Sequence, residues 1–258
     1  MTLHCWESPP PALTLSHDAV HVWRAPLDAP ASRVRALEPL LSTDERQRAA
    51  RYGFARDRRR FVVARATLRL LLGRYLNLAP VRVRLSYGAH GKPALDASQR
   101  ETDLRFNVTH SEGLALYAFA RGRDVGVDLE WVRPLADAQP IAEAFFSARE
   151  RAALLELAPH QRQQAFYACW TRKEAYLKAR GDGLAVPLDQ FDVSLAPDEP
   201  ARLLGVQGDR RERTRWSLRE LTPAAGTVAA LAVRVPAASG RRWALQCWQW
   251  PCQQTIPC

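Results

Sequence analysis

Lysine and methionine are scarce in this chain: of 37 basic residues only three are lysines, Lys92, Lys173 and Lys178, and the 258 residues contain one methionine. No apolar run approaches the length of a membrane span, and residues 1–11 lack the positive segment followed by an apolar stretch that marks a secretory leader. A cytoplasmic protein with no membrane partner is the expectation. The five cysteines are odd in number and fit neither a disulfide framework nor a common zinc spacing, so reduced thiols are expected. No recognised nucleic-acid motif accompanies the basic charge, which argues against a nucleic-acid partner.

What is present is an arginine-rich globular composition. Basic residues outnumber acidic ones by 37 to 27, a balance that favours an anionic partner, whether nucleic acid, a phosphate-rich cofactor or an acidic protein. The length allows one large domain or two small ones. An internal repeat favours two. At a constant offset of 105, Val20 and Val22 align with Val125 and Val127, Leu41-Ser42 with Phe146-Ser147, Glu45-Arg46 with Glu150-Arg151, and Phe61, Ala64 and Leu72 with Phe166, Cys169 and Leu177. Each copy opens with a short strand and continues through a serine N-cap with a glutamate three residues on, a capping box. A long helix follows, near 58–76 and 162–179, and strands at 81–87 and 114–119 or 191–195 and 228–235 close each unit. The fold class is therefore α+β with two pseudo-symmetric halves: 1–122, 123–240, and a Trp- and Cys-bearing tail, 241–258, that is either a closing strand or an unstructured end.

Two acidic motifs carry the chemistry. In Gly126-Val127-Asp128-Leu129-Glu130 alternation puts Asp128 and Glu130 on one face of a strand, with Val127 and Leu129 toward the core. In Trp170-Thr171-Arg172-Lys173-Glu174-Ala175-Tyr176-Leu177-Lys178 helical spacing puts Trp170, Glu174 and Lys178 on one side, with Lys173 close by. Three carboxylates from a strand and a helix, with an ammonium one turn beyond, suit a hard cation such as Mg²⁺ that also holds a substrate's phosphates. The alternative is an ordinary Glu174–Lys178 surface pair and a solvated strand face. In this register both Asp128 and Glu174 lack acidic counterparts in the first copy, which leaves the first half to supply other contacts. Its candidates are the turn Tyr87-Gly88-Ala89-His90-Gly91-Lys92-Pro93, the segment Phe106-Asn107-Val108-Thr109-His110-Ser111, and one or two inward-turned members of the arginine run Arg46 to Arg60.

Taken in order, Gly91-Lys92-Pro93, Phe106 to Ser111, Gly126 to Glu130, and Trp170-x-x-Lys173-Glu174-x-x-x-Lys178 with Gly181-x-Gly183-Leu184 resemble the motifs of the 4′-phosphopantetheinyl transferases of the two-fold, Sfp-like class, over about 41–235. The resemblance implies transfer of phosphopantetheine from coenzyme A to a serine of an apo acyl or peptidyl carrier protein, releasing adenosine 3′,5′-bisphosphate, with the site in a cleft between the halves. It implies metal ligation by Asp128, Glu130 and Glu174, with Lys178 on the pyrophosphate or assisting proton transfer. Coenzyme contacts fall to Arg56, Gly91, Lys92, Asn107, Thr109 and His110, with Glu174 and Lys178 as the catalytic pair. Thr109 stands where the family usually has serine and keeps the hydroxyl. The fused repeat implies a monomer, and the choice among fatty-acid, polyketide and peptide carriers stays open. Two other readings compete: a nucleic-acid-binding module, and a different Mg²⁺-dependent phosphohydrolase, which gives no reason for the duplicated halves.

Overall fold

A computed structural model describes residues 6–88, 91–181, 186–236 and 243–251. Its elements follow the repeat. The first half runs β1 (Ala19–Pro26), α1 (Ala31–Leu37), α2 (Thr43–Ala50), α3 (Ala55–Leu76), the hairpin β2 (Leu85–Tyr87) and β3 (Pro93–Leu95), then β4 (Leu104–Ser111) and β5 (Leu114–Arg121). The second runs β6 (Val125–Trp131), α4 (Ala138–Phe145), α5 (Ala148–Glu156), α6 (Pro159–Arg180), β7 (Phe191–Val193), β8 (Leu203–Val206), β9 (Trp216–Leu221) and β10 (Thr227–Arg234), and β11 (Ala244–Gln249) ends the described chain.

The strand expected at 81–87 is shorter than the sequence suggested. Pro80–Arg82 is a 3-10 turn instead, since proline supplies no N–H to a ladder.

Two sheets, ordered β11-β1-β5-β4 and β6-β10-β9, pack face to face. Period-two alternation decides what each face meets. Val20, Val22, Leu116 and Ala118 of the first sheet meet Val127, Leu129, Leu231 and Val233 of the second in a core between the sheets. The opposite faces bury α3 against Trp23, Tyr117 and Phe119, and α6 against Ala230 and Ala232. The result is four layers, helix-sheet-sheet-helix, in which the halves mirror each other's composition.

The two halves share one order of elements, a strand, three helices and four strands, but not a constant register. Ser42 and Ser147 both open capping boxes, at offset 105. The long helices, each 22 residues, are related by 104, as are their left-handed C-caps, Asn77 and Gly181. One residue fewer separates cap from helix in the second half, so Lys173 rather than Glu174 occupies the place of Arg69. The two cations do the same work. Arg69 pairs with the buried Glu45 at 2.6 Å, and Lys173 pairs with the buried Glu150 at 2.7 Å and donates to the Phe191 carbonyl.

The tail has a place. Residues of β11 run parallel to β1, from Ala19 opposite Ala244 to Arg24 opposite Gln249, and thereby cover what would be an open edge of the first half's sheet. Trp248 and Trp250 then close the first core against Trp23.

Beside them lies a buried polar chain. Trp23 Nε1 donates to the Tyr75 hydroxyl at 2.8 Å, which leaves the hydroxyl proton for His21 Nδ1 at 2.7 Å. The imidazole is thus an acceptor and neutral, and burial lowers its pKa to about 4. Because unfolding restores a pKa of about 6.5, the unfolded state binds the extra proton first as pH falls. Stability is therefore complete above about pH 6.5 and declines toward pH 4, by up to about 3 kcal/mol from this residue. Chemical denaturation of the parent and His21→Gln across that range should show a pH-dependent gap; parallel curves would refute the assignment.

Candidate active site

Gly126 makes the site possible. A Cβ there would lie 2.1 Å from the Ala175 carbonyl oxygen and 2.3 Å from the Ala179 nitrogen, so only glycine lets α6 rest directly on β6. That contact brings the flanking Glu174 and Lys178 over the face carrying Asp128 and Glu130, while Val127 and Leu129 are buried between the sheets.

The centre is Asp128, which is buried. Its Oδ1 accepts hydrogen bonds from Lys178 Nζ at 2.5 Å and Thr109 Oγ1 at 3.1 Å, and Lys178 Nζ also lies 3.3 Å from that hydroxyl. Residues from both halves therefore meet on one oxygen. Lys178 does not form the Glu174 pair that its spacing also allowed; it points across to β6. Asp128 Oδ2 is buried with no hydrogen-bond partner. Glu130 accepts from Ser111 Oγ at 2.9 Å.

Burial, then the neighbouring Asp128 charge, raises the pKa of Glu174, with Glu130 adding to the rise and Lys178 opposing it. Burial likewise raises Glu130, against the lowering effect of the Ser111 hydrogen bond. One ammonium thus faces three crowded carboxylates. Among the described residues, however, no three Asp, Glu, His or Cys groups stand together as a ready-made metal cage.

The first half carries basic side chains on the other face of β4. His110 projects from the face of β4 opposite to Thr109 and lines a cavity of about 270 Å³ with Arg56, Arg60, Tyr52 and Phe61. The residue is exposed, yet desolvation by its neighbours, then the charges of Lys178, Arg65 and Arg48, hold its pKa below the ordinary value. Arg56 is largely exposed and pairs with Asp57, whereas Arg60 is drawn in by Asp28 at 2.7 Å. A second cavity, about 580 Å³, shares Tyr52 and is lined by Arg48, Arg51 and Tyr87.

Lys92 donates to the Lys178 carbonyl, tying the β2–β3 hairpin to the end of α6. Gly91 precedes it with a φ of 71°, a conformation that favours glycine. Asn107 is buried and accepts from the Val127 N–H at 2.9 Å, so its amide oxygen joins the two halves. Gly183 and Leu184 of the last motif lie outside the described residues.

Sequence reasoning missed Arg65. Its guanidinium lies 5.5 Å from the Phe61 ring centre, as that of Arg48 does at 5.7 Å; its Nε is 3.6 Å from the buried Glu45, and its Nη1 is buried without a partner. The available signal was helical spacing: Arg65 lies one turn beyond Phe61 and one before Arg69.

A carboxylate cluster with one lysine where two fused α+β copies meet, together with cavities lined by both arginines and carboxylates, suits a class of enzyme acting on phosphate compounds through a hard cation. Sequence comparison identifies which one. The chain matches the 4′-phosphopantetheinyl transferase superfamily over residues 124–233 and the 4′-phosphopantetheinyl transferase N-terminal family over 29–120. It is 43% identical over 250 residues to the 4′-phosphopantetheinyl transferase HetI of Nostoc sp., covering 97% of this chain and 100% of that one. It is 30% identical over 158 residues to the 4′-phosphopantetheinyl transferase Sfp of Bacillus subtilis, covering 61% of this chain and 68% of Sfp. The chain belongs to the 4′-phosphopantetheinyl transferase family, in its Sfp-like form.

Proposed function

We propose that this chain transfers the 4′-phosphopantetheinyl group of coenzyme A to a serine of an apo acyl or peptidyl carrier protein, leaving adenosine 3′,5′-bisphosphate. The observation that carries the reading is the meeting of Thr109 and Lys178, one from each half, on the buried Asp128 beside Glu130 and Glu174. In the step itself the carrier serine Oγ bonds to the phosphorus bearing pantetheine, the bond from that phosphorus to the bisphosphate oxygen breaks, and the serine proton leaves to a base. Glu174, whose basicity burial and Asp128 increase, is the residue to take it, directly or through a water. Lys178 faces the charge that builds on the leaving group, and His110 stands at the cavity side of the same strand end. The arginine-bearing cavities hold the nucleotide and its 3′-phosphate, with Lys92 and Thr109 beside the pyrophosphate and Arg48 and Arg56 around the rest.

A divalent cation fits the donor set. The carboxylates are hard oxygen ligands, and the partnerless Asp128 Oδ2 is a buried acceptor that a cation satisfies. Asp128, Glu130 and Glu174 would hold Mg²⁺, which when bound neutralises the pyrophosphate oxygens. The net charge of +10 suits docking of acidic carrier domains. Among the described residues no helix is long and apolar enough to cross a membrane. We assign the chain as a monomer, because one chain already supplies both halves of the site.

Intact-mass spectrometry of a generic apo carrier incubated with the protein, coenzyme A and Mg²⁺ tests this. A gain of one phosphopantetheinyl group, lost with EDTA or with a carrier lacking its serine, is expected. No gain across several carrier classes would overturn the assignment.

A further inference from the structure

We propose that Ser111 is a positioning residue for the reaction, the outermost rung of a side-chain ladder that sets the second half's carboxylates against the first half; the inference rests on the reading of Glu130 as a cation ligand. The strands β4 and β6 are edges of different sheets, and no backbone ladder pairs them. They are nevertheless joined. Alternate residues of β4 project toward the second half, and each reaches β6: Asn107 accepts from the Val127 N–H at 2.9 Å, Thr109 donates to Asp128 at 3.1 Å, and Ser111 donates to Glu130 Oε2 at 2.9 Å. The rungs run in the same order along both strands. The intervening residues Phe106 and Val108 pack into the first core, which fixes the direction of the polar set.

The three rungs do different work. Asn107 holds backbone to side chain and so sets the height of one strand against the other. Thr109 shares Asp128 Oδ1 with Lys178, so Asp128 keeps a strong anchor without it. Ser111 is the sole donor to Glu130 among the described residues. Glu130 lies near the end of β6, half-buried, on a side chain with three rotatable bonds. One fixed oxygen restricts all three and leaves Oε1 for a ligand. Ser111 is itself fastened, because Trp131 Nε1 donates to its carbonyl at 3.2 Å. A hydroxyl in this role acts as the outer hydrogen-bond partners of metal ligands do, where loss of the partner weakens the site without removing a ligand.

The test compares Ser111→Ala, Ser111→Thr and Glu130→Gln in the full chain, reading Mn²⁺ binding by electron paramagnetic resonance without coenzyme or carrier, alongside turnover and melting temperature. Ser111→Ala should weaken Mn²⁺ binding and lower kcat by about tenfold each, the lower end expected for such partners. KM for coenzyme A should stay within about twofold, since no coenzyme contact is removed. Ser111→Thr, which keeps the hydroxyl, should restore both losses with an unchanged melting temperature. Parent-like Mn²⁺ binding and kcat in Ser111→Ala, with Glu130→Gln impaired in both, would overturn the positioning role alone. Failure of the threonine variant together with a lowered melting temperature in both serine variants would show a structural role and also overturn it. Parent-like Mn²⁺ binding and kcat in Glu130→Gln would instead remove the cation reading on which the inference rests.

Discussion

Glu174→Gln and Asp128→Ala will each lower kcat by about a hundredfold or more, the loss associated with removing one group that stabilises transition-state charge. The glutamine variant is the sharper test, because it keeps the volume and the α6 packing while removing both the negative charge and the proton acceptor. Among the described residues the Glu174 carboxylate meets its neighbours through burial and charge alone, with no hydrogen bond, so the fold of the variant should survive intact. Asp128→Ala acts on more than one partner: it frees Lys178 and Thr109 from the oxygen they share and deletes the orphaned Oδ2. The measurement is phosphopantetheine transfer at saturating Mg²⁺ and coenzyme A, followed by mass. Near-parent kcat in either variant sinks the proposed role of that residue.

Lys173→Ala should do the reverse, destabilising the fold while sparing the chemistry. Lys173 is adjacent in sequence to Glu174 and belongs to the same motif, yet it points away from the carboxylates into the second core. There it meets Glu150 at 2.7 Å, the Phe191 carbonyl at 2.5 Å and the Phe191 ring at 4.2 Å. Both members of the ion pair are about 1% exposed. Truncating the lysine leaves a buried carboxylate that also receives the Ser147 and Val193 N–H groups and cannot turn to water. Breaking such a pair costs roughly 3–5 kcal/mol. Denaturant titration should show that loss, and kcat per folded molecule in the cold should remain within about threefold of the parent, a change too small for a catalytic group. A parent-like midpoint with a hundredfold lower kcat would place Lys173 in the chemistry instead.

The sequence carried a large share of the fold because its signals were local. Both capping boxes stand at the serines that the S-x-x-E pattern marked, and both long helices stand where the apolar periodicity put them. Alternation in Gly126 to Glu130 correctly separated the carboxylate face from the apolar one, since a strand leaves a side chain only two directions. The register of the repeat was less secure. An offset of 105 is right for the opening strands and the caps and wrong by one for the long helices, because a shortened connection is invisible to a gapless match. That single residue exchanges Glu174 for Lys173 as the counterpart of Arg69, and with it a site residue for a core residue. The tail was undecidable from its own composition, since pairing with β1 depends on an edge more than 200 residues earlier.

What the sequence by itself determined is the class of the protein and the identity of its chemistry: the ordered motifs, the duplicated unit, and the three lysines, all of which lie within those motifs. Tertiary structure alone decided how those residues are used. It set Lys178 on Asp128 rather than on Glu174, turned Lys173 inward, placed Arg65 against Phe61, and gave Asn107, Thr109 and Ser111 their partners on β6. Each of these depends on the approach of elements distant in sequence, and above all on α6 lying against Gly126. A linear pattern fixes the face on which a side chain emerges; only packing fixes what it meets there.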